Sequence, residues 1–251
     1  MCTVMLRLTP GGRWPLLLAA VRDEFMGRAW DPPAAHWPEW PAVRGGRDRL
    51  AGGTWLAVDS ARPAVAALLN GVRRPEPADG VARPTRGTLP LAVLAGASGP
   101  VPGVPDGATL SRYDGFHLLR ADREGAEIWS WDGDELAHAW LDPGDHIVVN
   151  LGSDRADDPL VPHFAPLLKA VPDVDPAPGG LTAAAWDGWV DLLRGDGLAP
   201  TDPRGLIIAH QFAGGTYGST SASLVGLRTD GAVRYDFTAT PAAPDWYPVA
   251  G

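Results

Sequence analysis

Cys2 is the only cysteine in a chain of 251 residues, and it directly follows the initiator methionine. A lone thiol excludes an intrachain disulfide, a cysteine zinc finger and an iron–sulfur cluster. Nucleophilic chemistry remains open to it. Methionine aminopeptidase removes Met1 when the next side chain is small, and cysteine qualifies. Processing would leave Cys2 with a free α-amine beside its own thiol. An α-amine titrates at about 7.7–8.0 and a free thiol near 8.5, so the amine can take the thiol proton near neutral pH, directly or through water. One residue would then be both nucleophile and base. The plain alternative is a small apolar residue near a terminus.

Partners for such a thiol must come from the elements beside it. Residues 3–8 and 16–21 are apolar runs separated by Thr9-Pro10-Gly11-Gly12, which predicts a hairpin. The second run continues into Val21-Arg22-Asp23-Glu24-Phe25. In a hairpin of this size the end of the second strand lies near the start of the first, so Arg22 and Asp23 can share one sheet end with Cys2. A carboxylate there could hold an α-ammonium, and a guanidinium could orient a thiolate or a substrate carboxylate. The same charged triplet would also suit a solvated turn.

The rest of the chain narrows the classes. The net charge is −9, from 21 basic and 30 acidic residues, with no run of Lys or Arg. Nucleic acid and anionic membrane surfaces are therefore unexpected partners. The longest apolar run near the N-terminus, residues 15–21, is too short to span a bilayer and has no cleavage site after it. The expectation is a cytoplasmic protein without membrane insertion. The hydrophobic fraction of 45% and the 11 Trp predict one sizeable core despite 31 Gly and 26 Pro, read as a single domain over 1–251. Six scattered His carry no HExxH spacing, so no metal is expected. Gly45-Gly46 and Gly52-Gly53 form no dinucleotide loop; they supply turn geometry around Trp55, and no cofactor is expected. The sequence sets no oligomeric state.

Alternation and turn residues predict further strands at 54–58, 64–69, 116–120, 127–131, 136–141 and 146–151, the last four as an antiparallel meander. Strands are also predicted at 206–210, 221–227 and 233–238. Helices are predicted at 89–97, 163–170 and 183–193, the last with Thr182 as its cap and Trp186, Trp189, Val190 and Leu193 on one face. The Pro- and Trp-rich stretch 30–44 reads as an ordered loop or lid, and 72–87 as a surface loop. This order suggests an α+β layered sandwich.

Several segments together resemble a known family. They are the opening Met-Cys-Thr, the Leu17–Phe25 run, Gly45 to Val58, Ala67-Leu68-Leu69-Asn70, Thr85-Arg86-Gly87, Pro143-Gly144 with His146 to Asn150, and Tyr217-Gly218-Ser219. This is the NRDE family, named for an Asn-Arg-Asp-Glu motif and also called the transport and Golgi organisation protein 2 family. The resemblance covers nearly the whole chain and is strongest over 1–90. The family in turn is similar to N-terminal nucleophile hydrolases of the choloylglycine hydrolase and penicillin V acylase type. The resemblance implies a four-layer αββα fold and makes Cys2 the nucleophile toward an amide carbonyl. It gives Arg22 and Asp23 the task of orienting the thiol and binding the α-amine. Asn70 would be an oxyanion-hole amide, and Asn150 a second amide positioning the α-amine or the substrate. Either Asn would equally suit a strand-to-turn position.

Two positions depart from the family pattern. Val21 stands in place of the motif's Asn, which implies a lost polar contact beside the site. Thr220 stands where the family's C-terminal Tyr-Gly-Thr-Arg-Ser-Ser pattern has Arg. The implied function is a hydrolase or acyltransferase that cleaves the C–N amide bond of a small-molecule substrate through a Cys2 thioester. The resemblance also implies an alternative, a non-enzymatic carrier of haem or another hydrophobic ligand such as a lipid in the same cleft.

Overall fold

The computed structural model describes residues 2–72, 75, 80–104, 106–177 and 179–250. The strands in chain order are β1 (Thr3–Leu8), β2 (Leu16–Phe25), β3 (Trp30–Ala34), β4 (Val43–Asp48), β5 (Leu56–Asp59) and β6 (Ala64–Asn70). Then come β7 (Phe116–Asp122), β8 (Ala126–Trp131), β9 (Leu136–Leu141), β10 (Gly144–Val149) and β11 (Gly152–Ser153). The C-terminal strands are β12 (Ala209–Phe212), β13 (Gly215–Leu227), β14 (Val233–Thr238) and β15 (Tyr247–Pro248). The helices are α1 (Leu89–Leu94), α2 (Gly107–Leu110), α3 (Leu160–Ala170), α4 (Thr182–Trp186) and α5 (Gly188–Leu192). None of these helices is long and apolar enough to cross a membrane.

One sheet runs β11-β10-β1-β2-β13-β14-β15, with β12 added on β13; the other runs β3 to β9 in sequence order. Every pairing is antiparallel. The fold is α+β, with mostly antiparallel sheets and few helices. Strand alternation divides the apolar residues between cores. Leu16, Leu18 and Ala20 of β2 meet Leu56, Val65, Leu119 and Ile128 of the other sheet. Leu17, Ala19 and Val21 face the opposite way and pack with Phe164, Leu168, Trp186 and Trp189. The outer face of the second sheet buries Ala66, Leu118 and Trp129 against Leu89, Leu91 and Val93. A strand buried on both faces needs a continuous apolar run, which is what residues 16–21 supply. Each fully buried Leu or Val there contributes about 1.5–3 kcal/mol.

Several expectations need correction. The stretch 30–44 is not all loop, because β3 pairs with β4. Pro32 and Pro33 are tolerated because β3 is an edge strand whose register shifts between Asp31 and Ala34. The first three strands of the expected meander, β7 to β9, pair antiparallel in order as read and continue the sheet from β6, but β10 leaves that sheet and pairs with β1. The predicted helix 183–193 is two short helices broken at Asp187, whose φ is 40°. Its aromatic stripe is still buried, so the face was read correctly and the continuous backbone was not. Thr182 does not cap α4; it lies inside the helix and donates Oγ1 to Asp236 Oδ1 at 2.6 Å. The loop expected at 72–87 lies partly outside the described residues.

Candidate active site

The hairpin register places Thr3 opposite Val21, and the β1–β10 register places Val4 opposite Val148. One residue before Thr3, Cys2 therefore meets the end of β2 on one side and Asn150 on the other. Its nitrogen donates to Asn150 Oδ1 at 3.2 Å, and its thiol contacts the Asp23 main-chain oxygen at 3.8 Å. The side chain is half-buried against the core between the sheets.

Arg22 and Asp23 belong to β2 rather than to a turn, and each is only 5% exposed. Arg22 continues the Leu16–Leu18–Ala20 face toward the second sheet. Its guanidinium lies over the Trp55 ring, 4.3 Å from the centroid, and Nη1 donates to Thr220 Oγ1 at 2.9 Å. Asp23 Oδ1 accepts from Ser219 Oγ at 2.6 Å, and Ser219 Oγ accepts in turn from Ile208 N at 2.9 Å. The Tyr217 hydroxyl donates to the Asp23 main-chain oxygen at 3.0 Å.

These contacts depend on a β-bulge. In the β2–β13 ladder Ser219 faces Asp23 and Ser221 faces Arg22, so Thr220 is the extra residue. The insertion lets two successive hydroxyls serve two successive charged residues. Thr220 holds Arg22 at both ends, accepting from Nη1 and donating Oγ1 to the Arg22 main-chain oxygen at 3.2 Å. Val21 faces the helix-side core, where an apolar residue packs well.

Asn70 ends β6 in the second sheet and, with Cys2, Arg22 and Asp23, lines a cleft of about 380 Å³. Its side-chain amide makes no hydrogen bond among the described residues. Gly53 and Gly87 meet back to back in the cleft wall, where Thr54 N donates to Gly87 O at 2.8 Å, and a Cβ on Gly53 would overlap the Gly87 backbone. Gly46 lies within β4 rather than in the turn expected from the sequence, and it leaves room for the Trp55 ring. Asn150 is anchored from behind. His117 Nε2 lies 3.2 Å from the Asn150 carbonyl oxygen, which can only accept, so Nε2 carries the proton and Nδ1 accepts from Ser130 Oγ at 2.8 Å.

Burial dominates the electrostatics. It pushes the Cys2 thiol up, and the Asp23 charge adds to this against the opposing pull of Arg22. Burial also lifts Asp23 to about 6, although the Ser219 hydrogen bond and Arg22 pull it down. It raises Tyr217, which stays a donor, and lowers His117, which favours the neutral ring. A protonated thiol at neutral pH needs a base beside it before it can attack.

The structure thus brings Cys2, Arg22, Asp23 and Asn70 to one cleft and ties Asn150 to the Cys2 nitrogen. The sequence reading missed Ser219 and His117 as supports and Trp55 as the surface under Arg22. The only signals for them were Ser219 in the Tyr217-Gly218-Ser219 segment and the paired glycines flanking Trp55. The family model described as Transport and Golgi organisation 2 matches residues 1–157. The chain belongs to that family. The matched span holds Cys2, Arg22, Asp23, Asn70 and Asn150, whereas Ser219 and Thr220 lie beyond it. No curated protein matches the chain.

Proposed function

We propose that this family member is a cysteine N-terminal nucleophile hydrolase or acyltransferase acting on the amide bond of a small molecule. The observation that carries the reading is the setting of Cys2 at the head of a central strand. Its nitrogen is held by Asn150, and its thiol is kept protonated by burial. Such a thiol gains most from a base on its own residue. The stacking of helices outside two facing sheets supports the four-layer αββα arrangement of N-terminal nucleophile hydrolases, in one domain over 1–251. A cytoplasmic setting would keep the single thiol reduced.

The reaction follows from these groups. After Met1 is removed, the Cys2 α-amine takes the thiol proton and the sulfur attacks the amide carbonyl. The Asn70 side-chain N–H₂ faces the charge that develops on the carbonyl oxygen. Collapse breaks the C–N bond, the amine leaves with the proton held by the α-ammonium, and a thioester remains on Cys2. Water, deprotonated by the same amine, releases the acid and restores the thiol. Arg22 fixes the field around the sulfur, and Asp23 balances the α-ammonium.

Eight of the 18 residues that line the cleft are charged, which suits a polar substrate better than a haem or lipid carrier. Intact mass spectrometry after incubation with a panel of small amides tests the reading. The expected result is an acyl adduct on Cys2 that disappears in Cys2→Ala. Release of amine from the panel by the Cys2→Ala protein at the wild-type rate would overturn it.

A further inference from the structure

The charged groups around the cleft are unequally satisfied. Arg28 Nε reaches Asp48 Oδ2 at 2.6 Å, and Arg83 Nε reaches Asp114 Oδ1 at 3.1 Å, so both pairs are closed. Arg22 and Glu24 form an open pair, with Nη2 and Oε2 3.7 Å apart, beyond hydrogen-bond distance. Among the described residues Arg22 makes a single side-chain hydrogen bond, through Nη1 to Thr220, although a guanidinium has five N–H donors. It is nevertheless 95% removed from solvent, since only 5% of it is exposed. Glu24 Oε1 accepts from Phe25 N at 2.8 Å, whereas Oε2 lies 3.8 Å from Arg28 and 3.7 Å from Arg22. Unused donors on a buried cation and an unused acceptor on the adjacent anion thus meet at the cleft, beside Cys2.

Resting on the hydrolase reading, we propose that the cleft receives a small amide bearing an α-amino-acid head group, its carboxylate on Arg22 and its ammonium on Glu24. Such a head group carries both charges on one carbon, which matches an open pair of side chains a few ångströms apart. A ligand with both signs replaces the water that each side chain loses. An apolar acyl chain or a macrocycle would cover the same charges without compensation. The cleft volume of about 380 Å³ is at the small end for ligand pockets and suits a ligand of amino-acid or dipeptide size. Trp55 supplies the apolar floor beneath the guanidinium. Arg22 therefore has two tasks, orienting the sulfur and holding the substrate carboxylate.

Calorimetric titration of the Cys2→Ala protein separates binding from chemistry. The probes are L-glutamine, N-acetyl-L-glutamine, L-glutamine methyl ester and hexanamide. The expected result is that L-glutamine binds, and that blocking either charge weakens it by about tenfold or more, the effect of one charge-assisted hydrogen bond. Glu24→Gln in the same background should remove the preference for the free ammonium while leaving the methyl-ester penalty. Hexanamide or N-acetyl-L-glutamine binding as tightly as L-glutamine would overturn the proposal, as would no binding of L-glutamine. The parent reading is judged separately, by mass spectrometry of the wild-type chain. Glutamine binding without acylation of Cys2 by any amide would sink the hydrolase and keep the ligand class. Acylation by hexanamide without glutamine binding would do the reverse.

Discussion

Burial and the neighbouring Asp23 carboxylate both keep the Cys2 thiol protonated, so a thiolate has to be made at the moment of attack. The charge then passes to the carbonyl oxygen, and Asn70 carries the free amide of the cleft wall. Asn70→Ala should leave folding intact and lower turnover by about 10²–10³, the usual cost of one oxyanion donor. Steady-state kinetics within a few-fold of wild type would reduce Asn70 to a strand-end residue. Asp23 gives a stability signature. Its carboxyl titrates at about 6 in the fold against 3.8 when free. A raised folded-state value means a contribution that is full below 3.8 and is lost as pH rises through 6. Urea unfolding should therefore show Asp23→Asn gaining on the wild type by about 2 kcal/mol between pH 4 and pH 7. A difference that does not change with pH would mean that Asp23 is not held in a desolvated setting.

At the scale of elements, the site depends on β13 reaching the end of β2, and on the bulge that offers Ser219 and Thr220 together. Ser219→Ala would leave the Ile208 N–H without its acceptor and Asp23 without its hydroxyl donor. It should cost about 1–3 kcal/mol and move the Asp23 titration upward. Ser223→Ala is the control, because among the described residues that hydroxyl meets only the Tyr235 hydroxyl, at 3.5 Å, and should cost less in the same thermal melts. The local parts of this arrangement were legible in the sequence. The first hairpin, β6 and the strands from 116 to 149 show in apolar alternation and turn residues; the hairpin placed Cys2, Arg22 and Asp23 at one sheet end, whereas Asn70 and Asn150 came from the family resemblance. The bulge was not legible, because one extra residue on β13 is defined only against β2, nearly two hundred positions away. The extension of β13 back to Gly215 was hidden for the same reason, since its polar first half carries no apolar pattern. The break at Asp187 was hidden because periodicity reports the buried face, and that face continues through the kink.

Over the whole molecule, β1 and β2 lie between two cores, so the site is held by packing that no single layer supplies. The outer core is pinned to its helices by Asp236, fully buried on β14. It accepts from Thr182, from Trp186 Nε1 at 2.8 Å and from the Arg234 guanidinium. Asp236→Ala would strand Arg234, which is 4% exposed, without its counter-charge. It should destabilise the fold by about 3–5 kcal/mol in denaturant unfolding, while turnover per folded molecule stays at the wild-type level. Equal loss of turnover in the folded fraction would mean that the helix layer acts on the chemistry. The central claim concerns the other end of the molecule, where the proposed base exists only after Met1 is removed. A Glu inserted between Met1 and Cys2 blocks excision and leaves the Cys2 nitrogen a peptide amide, which accepts no proton at neutral pH. Amine release from a hydrolysed amide, measured on processed and blocked chains with N-termini verified by intact mass, tests this directly. The account predicts activity in the processed chain and none in the blocked one. Equal activity in both would contradict an N-terminal nucleophile, even with Cys2 essential.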